Sequence, residues 1–246
     1  MSAKKEETKI RWATYTWNPM VGCTQVSPGC DRCYAKRLAE GFGAPAYPRG
    51  FEPTWKPHKL GEPKKWKPGM IFVDSMSDLF HRDWTVQQLD SVFDVILATP
   101  FHTYMILTKR PERMELYLRD WMDRQNLTVV PRHIWLGTSI ENDDFTYRAD
   151  VLRRIPVLCR FISAEPLLAP LPSLRLHGIS WLIVGGESGS GFRPMDHAWA
   201  VDLRDRAIGS GVAFYFKQSA AYRTEMGQLL EGQRWEQYPT GMRTLL

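Results

Sequence analysis

Short apolar runs that end in polar residues recur along this chain, with helical stretches between them. Ile71-Phe72-Val73 leads into Asp74-Ser75-Met76-Ser77-Asp78, and Tyr104-Met105-Ile106-Leu107 into Thr108-Lys109-Arg110. Ile134-Trp135-Leu136 leads into Gly137-Thr138-Ser139-Ile140-Glu141-Asn142, and Arg160-Phe161-Ile162 into Ser163-Ala164-Glu165-Pro166. Trp181-Leu182-Ile183-Val184 leads into Gly185-Gly186-Glu187-Ser188-Gly189, and Val212-Ala213-Phe214-Tyr215-Phe216 into Lys217-Gln218-Ser219. A first strand is expected around Thr14-Tyr15-Thr16-Trp17. Runs that are apolar at successive positions predict strands buried on both faces, as in a parallel sheet.

The stretches between carry helix signals. Thr85 with Gln88 forms a capping box, and Val86, Leu89, Val92, Phe93, Ile96 and Leu97 then share one face before Thr99-Pro100. A second helix opens after Arg110-Pro111, where proline suits the first turn. A third spans roughly Asp143 to Arg154, and a fourth runs from near Asp196 to Gly209. Strand and helix alternate, so the expected fold is α/β: a partial or complete (βα) barrel with parallel strands and outer helices. An open doubly wound sheet gives almost the same pattern. In a barrel, the polar strand ends would form the active-site mouth.

The chain is expected to form one domain over residues 1–246. Residues 1–12 read as an N-terminal extension, and 221–246 as an irregular or hairpin-like C-terminal extension. Residues 41–69 form a long loop rich in Pro and Gly, with Trp55, Lys56, His58, Lys59, Lys64, Lys65, Trp66 and Lys67 interleaved. Such a segment either grips a nucleic-acid backbone while its tryptophans stack on bases, or is pinned to the barrel by those tryptophans. The formal charge of +5 permits a polyanionic partner without demanding one. No apolar run is long enough to span a membrane, and the charged N-terminus lacks a signal-like apolar region, so a cytoplasmic protein is expected.

Three of the four cysteines lie within eleven residues, as Cys23, Cys30 and Cys33 in a C-x6-C-x2-C arrangement. Thiolates are soft ligands that suit zinc or an iron–sulfur cluster. A closed zinc site needs a fourth ligand, for which His58 and His81 are candidates. Three cysteines on a four-iron cluster instead leave one iron open, able to take the amino and carboxylate groups of S-adenosylmethionine. Cys159, within Val157-Leu158-Cys159, reads as a small core residue.

Thr16-Trp17-Asn18-Pro19, Gly22-Cys23 and Ser27-Pro28-Gly29-Cys30-Asp31-Arg32-Cys33-Tyr34-Ala35 resemble the three-Cys-motif proteins of phages and bacteria, a family described as phage-type with a domain of unknown function. The resemblance continues through the strand ends quoted above, from about Thr14 to Ser219. That family in turn resembles the radical S-adenosylmethionine enzymes, which place a three-cysteine loop after the first strand of a partial barrel. Two features depart from that superfamily. Its commonest spacing is C-x3-C-x2-C, and its Gly-Gly-Glu motif follows the second strand, whereas Gly185-Gly186-Glu187 follows a late one.

The resemblance implies a [4Fe-4S] cluster on Cys23, Cys30 and Cys33, S-adenosylmethionine as co-substrate, and a flavodoxin-like electron donor. Asp74, Ser75, Ser77, Asp78, Ser139, Glu141, Gly185, Gly186 and Glu187 are then the candidates for cofactor contact. Glu187, Glu165 and Lys109 are the candidates for catalysis, and Lys109, Arg110 and Lys217 for a carboxylate or phosphate. The expected activity is reductive cleavage of S-adenosylmethionine to a 5′-deoxyadenosyl radical that modifies or repairs a nucleic acid or nucleotide. The alternatives are a zinc-stabilised nucleic-acid-binding module without catalysis, and metal-independent hydrolysis through Glu165 and Glu187.

Overall fold

A computed structural model describes Thr8 and residues 10–41 and 43–239. Every apolar run named above is a strand. Tyr15–Trp17 (β1), Met70–Val73 (β4), Thr103–Thr108 (β5), Ile134–Ser139 (β6), Cys159–Ala164 (β7), Trp181–Gly185 (β8) and Ala213–Gln218 (β9) form one seven-stranded sheet. All neighbouring pairs are parallel, and the order β1-β4-β5-β6-β7-β8-β9 follows the chain without reversal. A doubly wound sheet reverses its order at a switch point. This one does not, and it curls into a half-barrel open between β1 and β9.

The helices Val86–Ala98 (α2), Pro111–Arg124 (α3), Tyr147–Arg153 (α4) and His197–Gly209 (α5) flank the sheet. The Thr85 capping box is present, Pro111 opens α3, and the Asp196 side chain caps α5 by accepting from the Ala198 N–H. Two residue sets alternate along the strands. Ile71, Tyr104, Ile106, Leu136, Ile162, Leu182 and Phe214 pack with the helices in the larger core. Phe72, Met105, Trp135, Cys159, Phe161, Trp181 and Tyr215 fill the concave face with large aromatic side chains. Cys159 is fully buried there, where burial pushes its thiol up to about 12.

Three segments outside the strand and helix rhythm are tied to the sheet. At the end of the N-terminal extension, Trp12 is buried against Phe72 and Trp181 at the base of the concave face. The C-terminal extension is irregular and packs along the sheet. Glu236 pairs antiparallel with Tyr215, and Phe216 and Gln237 exchange backbone hydrogen bonds with Trp235 and Phe214, so the tail covers the outer edge of β9. An uncovered edge would expose a row of unpaired N–H and C=O groups. The third segment is residues 41–69, for which the pinned alternative is the one observed. Thr54–Trp55 (β3) pairs antiparallel with Met20–Val21 (β2), Trp66 stacks on Tyr15 at 4.8 Å, and the Trp17 indole N–H donates to the Lys59 carbonyl. Trp55 and Trp66 are packed against the core, so the tryptophans pin the loop and do not stand free as a stacking platform. Residues 240–246, part of the expected extension, lie outside the described residues. Among the described residues no helix is long and apolar enough to cross a membrane.

Gly137 makes the aromatic floor possible, since a Cβ there would lie 2.4 Å from the fully buried Phe161 ring. Gly137→Ala is expected to destabilise the fold by about 1–3 kcal/mol through overpacking. Urea unfolding would show a lower midpoint at an unchanged slope, and adding Phe161→Leu should recover part of the loss.

Candidate functional site

The cysteines follow β1 and β2 and lie at the C-terminal end of the sheet. Cys30 N–H donates to the Ser27 carbonyl within a 3₁₀ turn at Pro28–Cys30, and Cys33 precedes the short helix Tyr34–Glu40 (α1). All three thiols are free and partly exposed, and they line one cleft of about 510 Å³ with Lys36 and Arg49 on its rim. Burial, with a smaller push from Asp78, raises the Cys23 thiol to about 11 against the opposing pull of Arg110.

Four sets of contacts press this loop onto the strand ends. The first is the segment after β4. Asn18 Oδ1 accepts from Ser75 Oγ at 3.1 Å and from the Met76 N–H at 2.9 Å, and Ser77 Oγ donates to the Gly22 carbonyl at 2.7 Å. The Tyr34 hydroxyl donates to the Ser75 carbonyl, so one segment holds both ends of the cysteine loop. Ser75 and Ser77 are therefore committed to holding protein. Asp74 is buried at φ 54°, with Oδ1 accepting from the Met20 N–H and Oδ2 without a hydrogen-bond partner among the described residues. Burial pushes its carboxyl well above the usual range.

The second set is Asp78 with Arg110. Asp78 accepts from Thr108 Oγ1 at 2.7 Å and from the Lys109 N–H at 3.1 Å, and pairs with Arg110 at 2.9 Å. Arg110 reaches on to Cys23 Sγ at 3.5 Å and to the Thr24 carbonyl at 2.9 Å.

The third set centres on Glu141, which is fully buried. It is paired with Lys109 and, at 3.0 Å, with Arg148, and it accepts from Ser27 Oγ at 2.6 Å. Arg148 is itself buried, and also donates to the carbonyl of Ser139. Burial alone would raise the Glu141 carboxyl, but Lys109 and Arg148 outweigh it and hold it below the usual range. Gly29 lies against this carboxylate so closely that a Cβ would approach Glu141 Cγ to 2.5 Å.

The fourth set is Glu187, which binds the Arg193 guanidinium at 2.5 and 3.1 Å and its backbone N–H at 2.8 Å. Arg32 lies 4.0 Å away and Asp31 lies 3.6 Å from Arg193, both within the cysteine loop. Arg37 of α1 donates to the carbonyls of Ser188 and Ser190, over Gly189 at φ 108°. Burial works against the Glu187 carboxylate, but hydrogen bonding to Arg193 prevails and keeps it below its ordinary range.

Glu165 stands apart on the concave face, 3.0 Å from Lys217 and accepting from Ser163 Oγ at 3.0 Å. It lies over Gly185, where a Cβ would approach its Oε1 to 2.7 Å. Gly186 is needed for a different close approach, since its Cβ would meet the Ala220 backbone nitrogen at 2.1 Å. The two carboxylates of the hydrolytic alternative are thus each bound to a cation.

The residue pattern missed Ser27, Arg148 and Arg193 as members of the mouth. Arg193 had a signal, being the only cation between Glu187 and Asp196. Arg148 had none, because nothing in a helical position distinguishes an inward arginine from a solvated one.

A zinc ion, with bonds of about 2.3 Å, draws its thiolates to within about 4 Å of one another. Among the described residues no three His, Cys, Asp or Glu side chains converge in that way. His81 has both ring nitrogens engaged, with Thr24 Oγ1 at 2.8 Å and the Asp83 N–H at 3.3 Å, so it is not poised to complete a zinc site.

Replacing Glu141 by Ala would leave Arg148 buried without its carboxylate, and is expected to cost about 3–5 kcal/mol in urea unfolding. The sign with pH follows from the depressed carboxyl. Its stabilisation, read as wild type minus Glu141→Gln, should be complete above the unfolded glutamate range of about 4.3 and disappear as pH falls through the lower folded value.

With the geometry in place, a sequence model of the family described as "Protein of unknown function (DUF5131)" matches residues 7–239, and the chain belongs to that family. No curated protein and no solved structure gives a significant match.

Proposed function

We propose that this member of the DUF5131 family holds a [4Fe-4S] cluster on Cys23, Cys30 and Cys33 and uses it, with S-adenosylmethionine, for radical chemistry on a nucleic acid or nucleotide. The observation that carries the reading is the gathering of three free thiols along one cleft at the C-terminal end of a parallel half-barrel. Reduced by a one-electron donor of the flavodoxin type, a cluster on these thiolates would supply the one electron needed for reductive cleavage of S-adenosylmethionine and hydrogen abstraction from a substrate.

The chain's own share is ligation, positioning and exclusion of side reactions. Cys23, Cys30 and Cys33 would hold the cluster, and with only three protein thiolates it would keep a coordination position for S-adenosylmethionine. Asp78, Glu141 and Glu187 act through the cysteine loop: their ion pairs fix its position over the strand ends. Glu187 is spent on Arg193, so the late Gly-Gly-Glu motif serves the loop and not the methionine amino group.

Substrate binding falls to groups that remain free. Lys36, which lines the cleft, is exposed and has no ion pair among the described residues, and Lys64, Lys65 and Lys67 are exposed on the pinned loop. These cations, with the net charge of +5, favour a phosphate-bearing substrate.

Anaerobic reconstitution with iron and sulfide, followed by dithionite and S-adenosylmethionine, should yield 5′-deoxyadenosine. Cys23→Ala, Cys30→Ala and Cys33→Ala should each abolish it. A colourless protein holding about one zinc ion, with no cleavage, would contradict the proposal and favour a zinc-stabilised binding module.

A further inference from the structure

Arg110 follows β5 at the mouth, where a free cation would suit a substrate phosphate, but the fold turns it onto a thiol. Its NH1 donates to Cys23 Sγ at 3.5 Å and to Asp78 Oδ2 at 2.9 Å. Its NH2 donates to the Thr24 carbonyl at 2.9 Å and to Thr24 Oγ1 at 3.2 Å. Asp78 is fixed in turn by Thr108 Oγ1 and by the backbone N–H groups of Lys109 and Phe80. Thr24 is held by His81. The guanidinium is therefore tied on three sides, with only 13% of the side chain exposed.

The three thiols are not equivalent. Among the described residues Cys30 Sγ meets the neutral Ser27 hydroxyl, at 3.8 Å, whereas Cys23 Sγ, 3.4 Å from the Thr24 carbonyl, faces the Asp78-paired guanidinium of Arg110. A guanidinium keeps its proton at all relevant pH. An N–H donor and a positive charge at a ligating sulfur stabilise the reduced, more negative state of a cluster, and hydrogen bonds to sulfur are among the factors that set its potential.

We infer that Arg110 is a positioning residue that raises the reduction potential of the cluster through Cys23, with Asp78 holding it in place; the inference rests on the cluster reading above. Its test is a redox titration of the reconstituted full-length protein, monitored by electron paramagnetic resonance, for wild type, Arg110→Lys and Arg110→Ala. Arg110→Ala removes the donor and unpairs Asp78, so the reduction equilibrium should move at least tenfold toward the oxidised cluster, about 59 mV for a one-electron couple. Arg110→Lys keeps the charge without the planar fork and should fall between. Hydrogen exchange on the metal-free chain should speed up between Cys23 and Cys30 in Arg110→Ala, because the Thr24 carbonyl is no longer held.

An unchanged potential in an iron-loaded Arg110→Ala would overturn the inference and leave the cluster reading intact. Loss of iron from both variants would overturn it in favour of a purely structural role. A wild-type protein that takes up no iron would instead sink the cluster reading, and the inference with it.

Discussion

A carboxylate at the mouth of a half-barrel sits where water is scarce, and it is tolerated only if a cation and hydrogen bonds replace its hydration. That constraint organises this molecule. Asp78, Glu141 and Glu187 stand beyond the ends of three different strands, and each is bound to at least one guanidinium or ammonium group. In every case the partner network includes the cysteine loop: Arg110 reaches Cys23, Ser27 donates to Glu141, and Arg32 lies beside Glu187. The same contacts that satisfy the strand ends press the thiols over them. Pairs of this kind add less to net stability than their number suggests, because desolvation offsets most of the attraction. What they add is position.

The sheet below supplies rigidity on two levels. One face packs its aliphatic residues against the helices, and the concave face is filled with tryptophan, phenylalanine and tyrosine. Glycine appears where one group must lie directly on another. Gly137 admits the Phe161 ring, Gly185 admits Glu165 across β8, and Gly29 admits Glu141 beneath the cysteine turn. These three glycines, two within strands and one in the cysteine turn, are thus explained by close approach of protein to protein.

The strands and long helices were legible because burial on both faces writes unbroken apolar runs and caps write the helix starts. The smaller elements were not. The helix after Cys33 is seven residues long and buries only Ala35 and Ala39, too little for a periodic signal. β2 and β3 are two residues each, and their pairing joins positions more than thirty residues apart. Of the candidate site, the three cysteines were visible as a spacing and the mouth as a row of polar strand ends. The roles were not visible: Ser75 and Ser77 hold a loop, and Arg110 faces sulfur. Hydrogen-bond partners are set by the curl of the sheet, which no local pattern carries.

The central claim is that Cys23, Cys30 and Cys33 together hold a cluster with one iron open to S-adenosylmethionine. Electron paramagnetic resonance of the anaerobically reduced protein, with and without S-adenosylmethionine, tests it most directly. The account predicts a reduced iron–sulfur signal whose g-values shift when S-adenosylmethionine is added, and which is absent from Cys30→Ala. A signal indifferent to S-adenosylmethionine, or no iron signal in a folded protein that carries zinc, would contradict it.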